Sequence, residues 1–231
     1  MKNVPALLAN SFDPAGTQRS IIPDEVFGGR AAAQILLDAG HTNIAYLSGG
    51  HELVATGLRS EGLNAAIKAA GLPPVAAMET GWEISDGYTA AMHLLTDDGA
   101  SPGKRAGSTG LGATGVVCAN DRVAMGVILA CGKLGLRVPE DVSIVGYDDD
   151  EPLARTAVPD LTTVSLPHRE MGEMAVKILL EDLSSAGSAK AATSPTAATS
   201  RKGASEASFA PILVQGSVVT RGSVAAPPSS R

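Results

Sequence analysis

No apolar stretch of this sequence approaches the roughly 20 residues that a membrane-spanning helix requires. The amino terminus does not resemble a signal peptide either, since Met1-Lys2-Asn3-Val4-Pro5 leads into only a few apolar residues before Asn10 and Asp13. A soluble cytoplasmic protein without a membrane partner is expected. Cysteine is scarce: Cys118 falls in an apolar strand pattern and Cys131 in a helical one, without metal-ligand spacing. Buried free thiols are expected rather than a disulfide. Positive charge is in deficit, because 18 Lys and Arg against 24 Asp and Glu leave a net charge of −6. That balance disfavours nucleic acid or an anionic membrane surface as a direct partner of this chain. The four histidines, His41, His51, His93 and His168, have no partner at metal-ligand or nucleophile-base spacing. Gly107-Ser108-Thr109-Gly110-Leu111-Gly112 lacks the Lys-Ser/Thr ending of a phosphate loop. Asp148-Asp149-Asp150-Glu151 reads as a solvated turn before it reads as a magnesium site. No metal, cofactor or enzymatic reaction is expected.

What is present is enough apolar residue, 44% of 231, to bury a sizeable core in one large domain or two lobes. Strand and helix patterns alternate. Val4 to Ala9 and Ser20 to Ile22 read as extended, the first being an edge strand or one whose neighbours are absent. A helix is expected from about Glu25 to Asp38, stopping at Gly40, then a strand over Ile44 to Leu47 ending in Ser48-Gly49-Gly50. Helices follow over about 55–70 and 85–95, with a short strand near 75–78 between them. Residues 99–115 read as a flexible surface loop. The strand Val116 to Ala119 ends at Asn120-Asp121, where a helix to about Leu134 begins. Val142 to Val145 is a β-branched run bounded by Pro139 and Gly146, after which Tyr147, Asp148 and Asp149 are expected to leave the sheet together. Leu161 to Val164 is extended and His168 to Leu183 helical, with Met171, Met174, Ala175, Ile178 and Leu179 at helical spacing. Residues 184–208, dominated by Ala, Ser and Thr, read as a disordered insertion. Strands at 212–214 and 217–220 must join a sheet already formed. Such alternation implies right-handed crossovers and parallel sheets, an α/β protein.

In an open parallel sheet, ligands sit beyond the carboxyl ends of the strands. At or near those ends lie Asn10, Ser48-Gly49 with Arg59 eleven residues on, Trp82, Asn120, Asp121 and Asp148. Arg offers a planar fork of donors, Asn a donor and an acceptor, Asp acceptors, and Trp a flat apolar face, a set suited to a polyhydroxylated ring. Each also has a structural reading: Asn120 or Asp121 as helix caps, Arg59 in a surface ion pair, Trp82 in the core.

Val138-Pro139-Glu140-Asp141-Val142-Ser143-Ile144-Val145-Gly146-Tyr147-Asp148-Asp149, with Leu161-Thr162-Thr163-Val164, resembles the signature of the effector-binding core of the LacI/GalR family of bacterial transcription regulators. Asp24-(x3)-Gly28-Gly29-Arg30, Gly40-His41-(x2)-Ile44 to Gly49, Arg59-(x2)-Gly62 and Cys118-Ala119-Asn120-Asp121 match in the same order, over about 4–183 and again near 212–222. The resemblance implies a two-lobed fold like that of periplasmic binding proteins, with a sugar or similar effector in the cleft between lobes. Arg59, Asn120 and Asp148 are then expected to hydrogen-bond the effector, with Trp82 against its ring and Asn10 and Asp121 as further contacts. On that reading Arg59 faces the ligand and the fold does not depend on it. Where many members carry Gln after Thr-Thr, this chain has Leu166-Pro167, and His168 stands where some carry an aromatic residue. Family members begin with a helix-turn-helix and the first half of the amino-terminal lobe, both missing ahead of Val4. A partial amino-terminal lobe is therefore expected over 1–23 and 165–211, a carboxyl-terminal lobe over 24–164 and 212–226, and a loose tail over 227–231. A homodimer is implied for the full-length form, with DNA contacted only through the missing domain and apolar surface exposed in the chain as it stands. A solute-binding protein of a sugar transporter is the second reading, and an enzyme on the same scaffold the third.

Overall fold

The computed structural model describes residues 5–11, 13–96, 113–191 and 209–228. The expected loop up to residue 112, the insertion from 192 and the end of the tail lie outside them. In chain order the first elements are β1 (Leu8–Ala9), β2 (Ser20–Pro23), α1 (Glu25–Asp38), β3 (Ile44–Leu47), α2 (Val54–Ala69), β4 (Ala76–Met78) and α3 (Ile84–Leu95). They are followed by β5 (Gly115–Cys118), α4 (Asp121–Leu134), β6 (Ser143–Asp148), α5 (Glu151–Thr156), β7 (Thr162–Ser165), α6 (His168–Ala191), β8 (Ile212–Val214) and β9 (Ser217–Val219). The chain divides into two compact units, a first formed by Met1–Asp24 with Pro167–Gln215 and a second formed by Glu25–Leu166 with Gly216–Arg231.

The first unit holds a parallel sheet in the order β1-β2-β8, so β1 is an edge strand. Arg19 ties the sheet to α6 through Asp182 at 2.9 Å, and its guanidinium lies 5.5 Å from the Phe209 ring centroid. Met171 is buried, while Val176, Leu180 and Leu183 are exposed. Those three recur at i, i+4 and i+7, so α6 carries an exposed apolar stripe. The helix also runs on through Ala191, correcting the expectation of disorder from residue 184. Alanine is a strong helix former, and no proline interrupts the run before Pro195.

The second unit has six strands in the order β4-β3-β5-β6-β7-β9. All pairs are parallel except β7 with β9. Strand alternation sorts the core. Ala45, Leu47, Val116, Cys118 and Ile144 pack with α3 and α4, whereas Ile44, Tyr46, Val117, Val145 and Tyr147 pack with α1 and α2. Both cysteines are buried and free. Buried His41 bridges Thr114 Oγ1 at 2.8 Å and the carbonyl of Ala225 at 2.9 Å, and Ser223 Oγ donates to Ile144 O. These bonds close the carboxyl-terminal segment over the sheet. From β3 the chain crosses to β4 on one side and returns to β5 on the other, placing the topological switch between β3 and β5.

Two local expectations change here. Tyr147 and Asp148 do not leave the sheet with Asp149, because they pair with Val164 and Ser165. Gly146 serves close packing: any side chain there would meet the carboxylate of Asp121. Immediately beyond, α5 forms from a stretch read only as a turn.

Candidate functional site at the carboxyl edge of the second sheet

Glu25, at the start of α1, and Arg59, on α2, are 7% and 8% exposed. Arg59 Nε and Nη2 donate to the two Glu25 oxygens at 2.6 and 3.0 Å, and Nη1 donates to Ala119 O at 2.8 Å. The guanidinium carbon lies 3.8 Å from the Tyr147 ring centroid, and Tyr147 Oη donates to Glu25 at 2.8 Å. A side chain at Gly28 would collide with the Tyr147 hydroxyl, and one at Gly29 with the Arg59 carbonyl, so the paired glycines make room for the network. Although burial works against its charge, the Glu25 hydrogen bond and field raise the guanidinium pKa. Arg59 is thus a permanently charged strut with three of its five N–H donors committed inside the protein, so, against the expectation, the local fold depends on it.

Asn120 caps α4 by accepting from Val123 N at 2.8 Å, and its amide nitrogen donates to Trp82 O at 3.1 Å. Among the described residues, one of its N–H groups has no acceptor. Trp82 donates to Glu52 at 3.3 Å, and its ring leans on Gly49, where a Cβ would lie 2.6 Å from Cη2. The ring therefore covers the tip of β3 and is neither core nor fully exposed. Asp121 is 1% exposed, accepting from Thr163 Oγ1 at 2.7 Å and Asp150 N at 2.7 Å. Burial pushes its carboxyl up to about 6. With both oxygens engaged, Asp121 secures the loop after β6.

Asp148 differs. It ends β6 in the left-handed region, φ 101°, where a non-glycine residue is strained. Its backbone carbonyl accepts from Leu166 N at 3.2 Å, while its half-buried carboxylate has no hydrogen-bond partner among the described side chains. Burial pushes its carboxyl up to about 7, with Arg59 opposing and Asp121 and Glu25 adding to the rise. A carboxyl whose folded pKa exceeds the unfolded value near 3.9 holds its proton more tightly when folded, so its contribution falls as pH rises from about 4 to about 7. Asp148→Asn removes that decline. The melting temperature of the variant relative to the parent chain is expected to climb across this window and level off above it, as measured by thermal melts at fixed ionic strength.

Asn10 and His168 belong to the first unit. There, Asn10 ends β1 with φ 56°, exposed, and His168 begins α6, also exposed. Among the described residues no group of three His, Cys, Asp or Glu side chains could hold a metal ion, and no helix is long and apolar enough to cross a membrane. Glu25 and Tyr147 escaped the sequence reading. Extending β6 by its own alternation would have put Tyr147 beside Val145, on the face covered by α1 and α2.

Residues 33–224 match the family of the periplasmic binding protein-like domain. The chain is 34% identical over 177 residues to the ribose operon repressor of Escherichia coli K12, covering 77% of this chain and 50% of that protein. The chain thus spans about half the length of the curated relatives it matches. Among solved structures, a LacI family transcriptional regulator from Mycobacterium smegmatis superposes with a TM-score of 0.72 at 32% identity, over 98% of this chain and 72% of that one. A dimeric Lac repressor with an 11-residue carboxyl-terminal deletion does so with a TM-score of 0.75 at 30% identity, over 98% and 71%. The domain match, the shared fold and identity at this level over most of the chain agree with the signature motifs around β6, and the chain belongs to the LacI family of transcriptional regulators.

Proposed function

We propose that this chain is the effector-sensing part of a LacI-type regulator and that the carboxyl edge of its second sheet binds a sugar. The observation that carries the reading is Asp148, a half-buried carboxylate without a side-chain partner, held in strained backbone at the end of a central strand. Strain and an unanswered acceptor are retained where a ligand supplies the missing donors. Trp82 at the tip of β3, Asn120 beyond β5 and Asp148 at the end of β6 stand on three adjacent strands, about 10 Å across at the usual strand spacing. That width suits one sugar ring, with the indole as the apolar face, Asp148 as the hydroxyl acceptor and the free Asn120 N–H as donor. Arg59 and Asp121 support these groups from beneath. The ribose operon repressor relative supports a sugar over other small metabolites. Its name, and those of the structural neighbours, also support a regulator over an enzyme, working as a pair of subunits. With a net charge of −6, contact with DNA falls to another part of the regulator.

Thermal-shift measurements over pentoses and hexoses test the reading. At least one sugar is expected to raise the melting temperature of the parent chain, and Asp148→Asn to weaken its binding by roughly tenfold or more, the worth of a charged hydrogen bond. A flat response to every sugar, or an undiminished response in the variant, would overturn it.

A further inference from the structure

We propose that the second unit holds one buried water molecule at the hydroxyl of Tyr46, in a cavity between its sheet and the helices α1 and α2. Tyr46 is 3% exposed, and its Oη, sealed from solvent, has no hydrogen-bond partner among the described residues. Alternation along β3 explains the burial, since Ala45 and Leu47 face α3 and α4 while Tyr46 faces α1 and α2. Burial raises the phenol pKa. Ser60 is near enough to oppose that rise but does not meet the hydroxyl in hydrogen-bonding geometry. A hydroxyl without a partner in an apolar interior is costly, so native proteins serve such groups, with water where no side chain does.

Beside Tyr46 lies a space of about 10 Å³ for the centre of a water molecule, the room that one water takes. Its walls include Ala32 of α1, Arg59 and Leu63 of α2, Val117 of β5 and Tyr147 of β6, all of them buried. The same walls offer further polar partners. Tyr147 Oη keeps a lone pair after donating to Glu25, and Arg59 has two N–H groups beyond the three bonded to Glu25 and Ala119. Size and charge narrow the ligand to water: an organic molecule or a halide is larger than the space, and the guanidinium repels a small cation. Water also donates and accepts at once, which a phenol hydroxyl beside a cation requires. The inference stands apart from the sugar reading, because the cavity lies inside the core of the second unit.

The experiment pairs a high-resolution crystal structure of the whole chain with thermal melts of Tyr46→Phe and Ser60→Ala. An ordered solvent peak is expected about 2.8 Å from Tyr46 Oη and is expected to be missing from crystals of Tyr46→Phe. The melting temperature of Tyr46→Phe is expected to fall by about 2–4 °C, the loss of one served hydroxyl in a chain of this size, whereas Ser60→Ala keeps the peak and melts no lower than the parent. A parent structure without a peak beside Tyr46 Oη overturns the inference. So does a Tyr46→Phe variant that melts at or above the parent temperature, because removing a hydroxyl that nothing serves relieves a cost. A direct bond from Ser60 Oγ to Tyr46 Oη, with Ser60→Ala falling as far as Tyr46→Phe, overturns it as well, since the two side chains would then be each other's partners.

Discussion

Arg59→Ala is expected to cost the second unit about 3–5 kcal/mol, visible as a fall in melting temperature of roughly 10 °C. The reason lies in what is left behind. Removing the guanidinium strands Glu25, whose oxygens are held at 2.6 and 3.0 Å by Arg59, as a buried carboxylate with only the Tyr147 hydroxyl for company. The Ala119 carbonyl loses its donor at the same time. Loss of sugar response in such a variant would therefore say nothing about direct contact, because the edge that carries Asn120 is itself released. The double variant Arg59→Met, Glu25→Gln separates the two explanations. It removes both charges, keeps the volume, and is expected to regain more than half of the lost stability. Chemical denaturation of the parent chain, Arg59→Met, Glu25→Gln and the double variant measures the coupling, and additive losses would show that the pair is worth no more than two independent surface groups.

How far the sequence led follows from which signals are local. Helix α1, strand β3 and helix α4 were legible from apolar period and stop residues alone, and Gly135 ends α4 at φ 72° as a glycine stop should. The carboxylate at the tip of β6 was legible too, because it follows a β-branched run. Where that strand ends was not, since Gly146 looks like a breaker and is in fact the space that Asp121 fills. The Glu25–Arg59 pair lies 34 positions apart in sequence and joins two helices, so no local pattern points to it. Arg59 reads in the sequence as a ligand group, and its structural role on α2 appears only with its partner. Likewise Trp82 was placed at the edge by its position after β4, but its seat on Gly49 depends on the close pairing of β3 and β4. The chemistry of this edge was thus readable as residue types, and the bonds that hold those residues in place were not.

The glycines of the matching motifs acquire a physical reason, and with it the second large effect. Gly29 of α1 faces the backbone of Arg59, and Gly62 of α2 faces the Val26 carbonyl, with the Arg30 amide 2.9 Å from where a Cβ would stand. The two helices therefore touch backbone to backbone, with no side chain able to yield. Gly87 and Gly126 do the same for α3 and α4 on the opposite face of the sheet. Gly62→Ala is expected to cost about 3 kcal/mol, at the upper end for overpacking, since relief requires α1 and α2 to separate and the Glu25–Arg59 bonds to lengthen with them. Gly57→Ala, on the same helix but with open space around its Cβ, is expected instead to gain up to about 1 kcal/mol from helix propensity. Urea unfolding of the two variants gives the comparison, and shifts of the same sign would remove the backbone contact as the reason for glycine at position 62. If the signs differ as expected, the sugar response of Gly62→Ala should weaken along with its stability, because the helix that carries Arg59 can no longer hold the guanidinium against Ala119 and the strand-end residues beyond it.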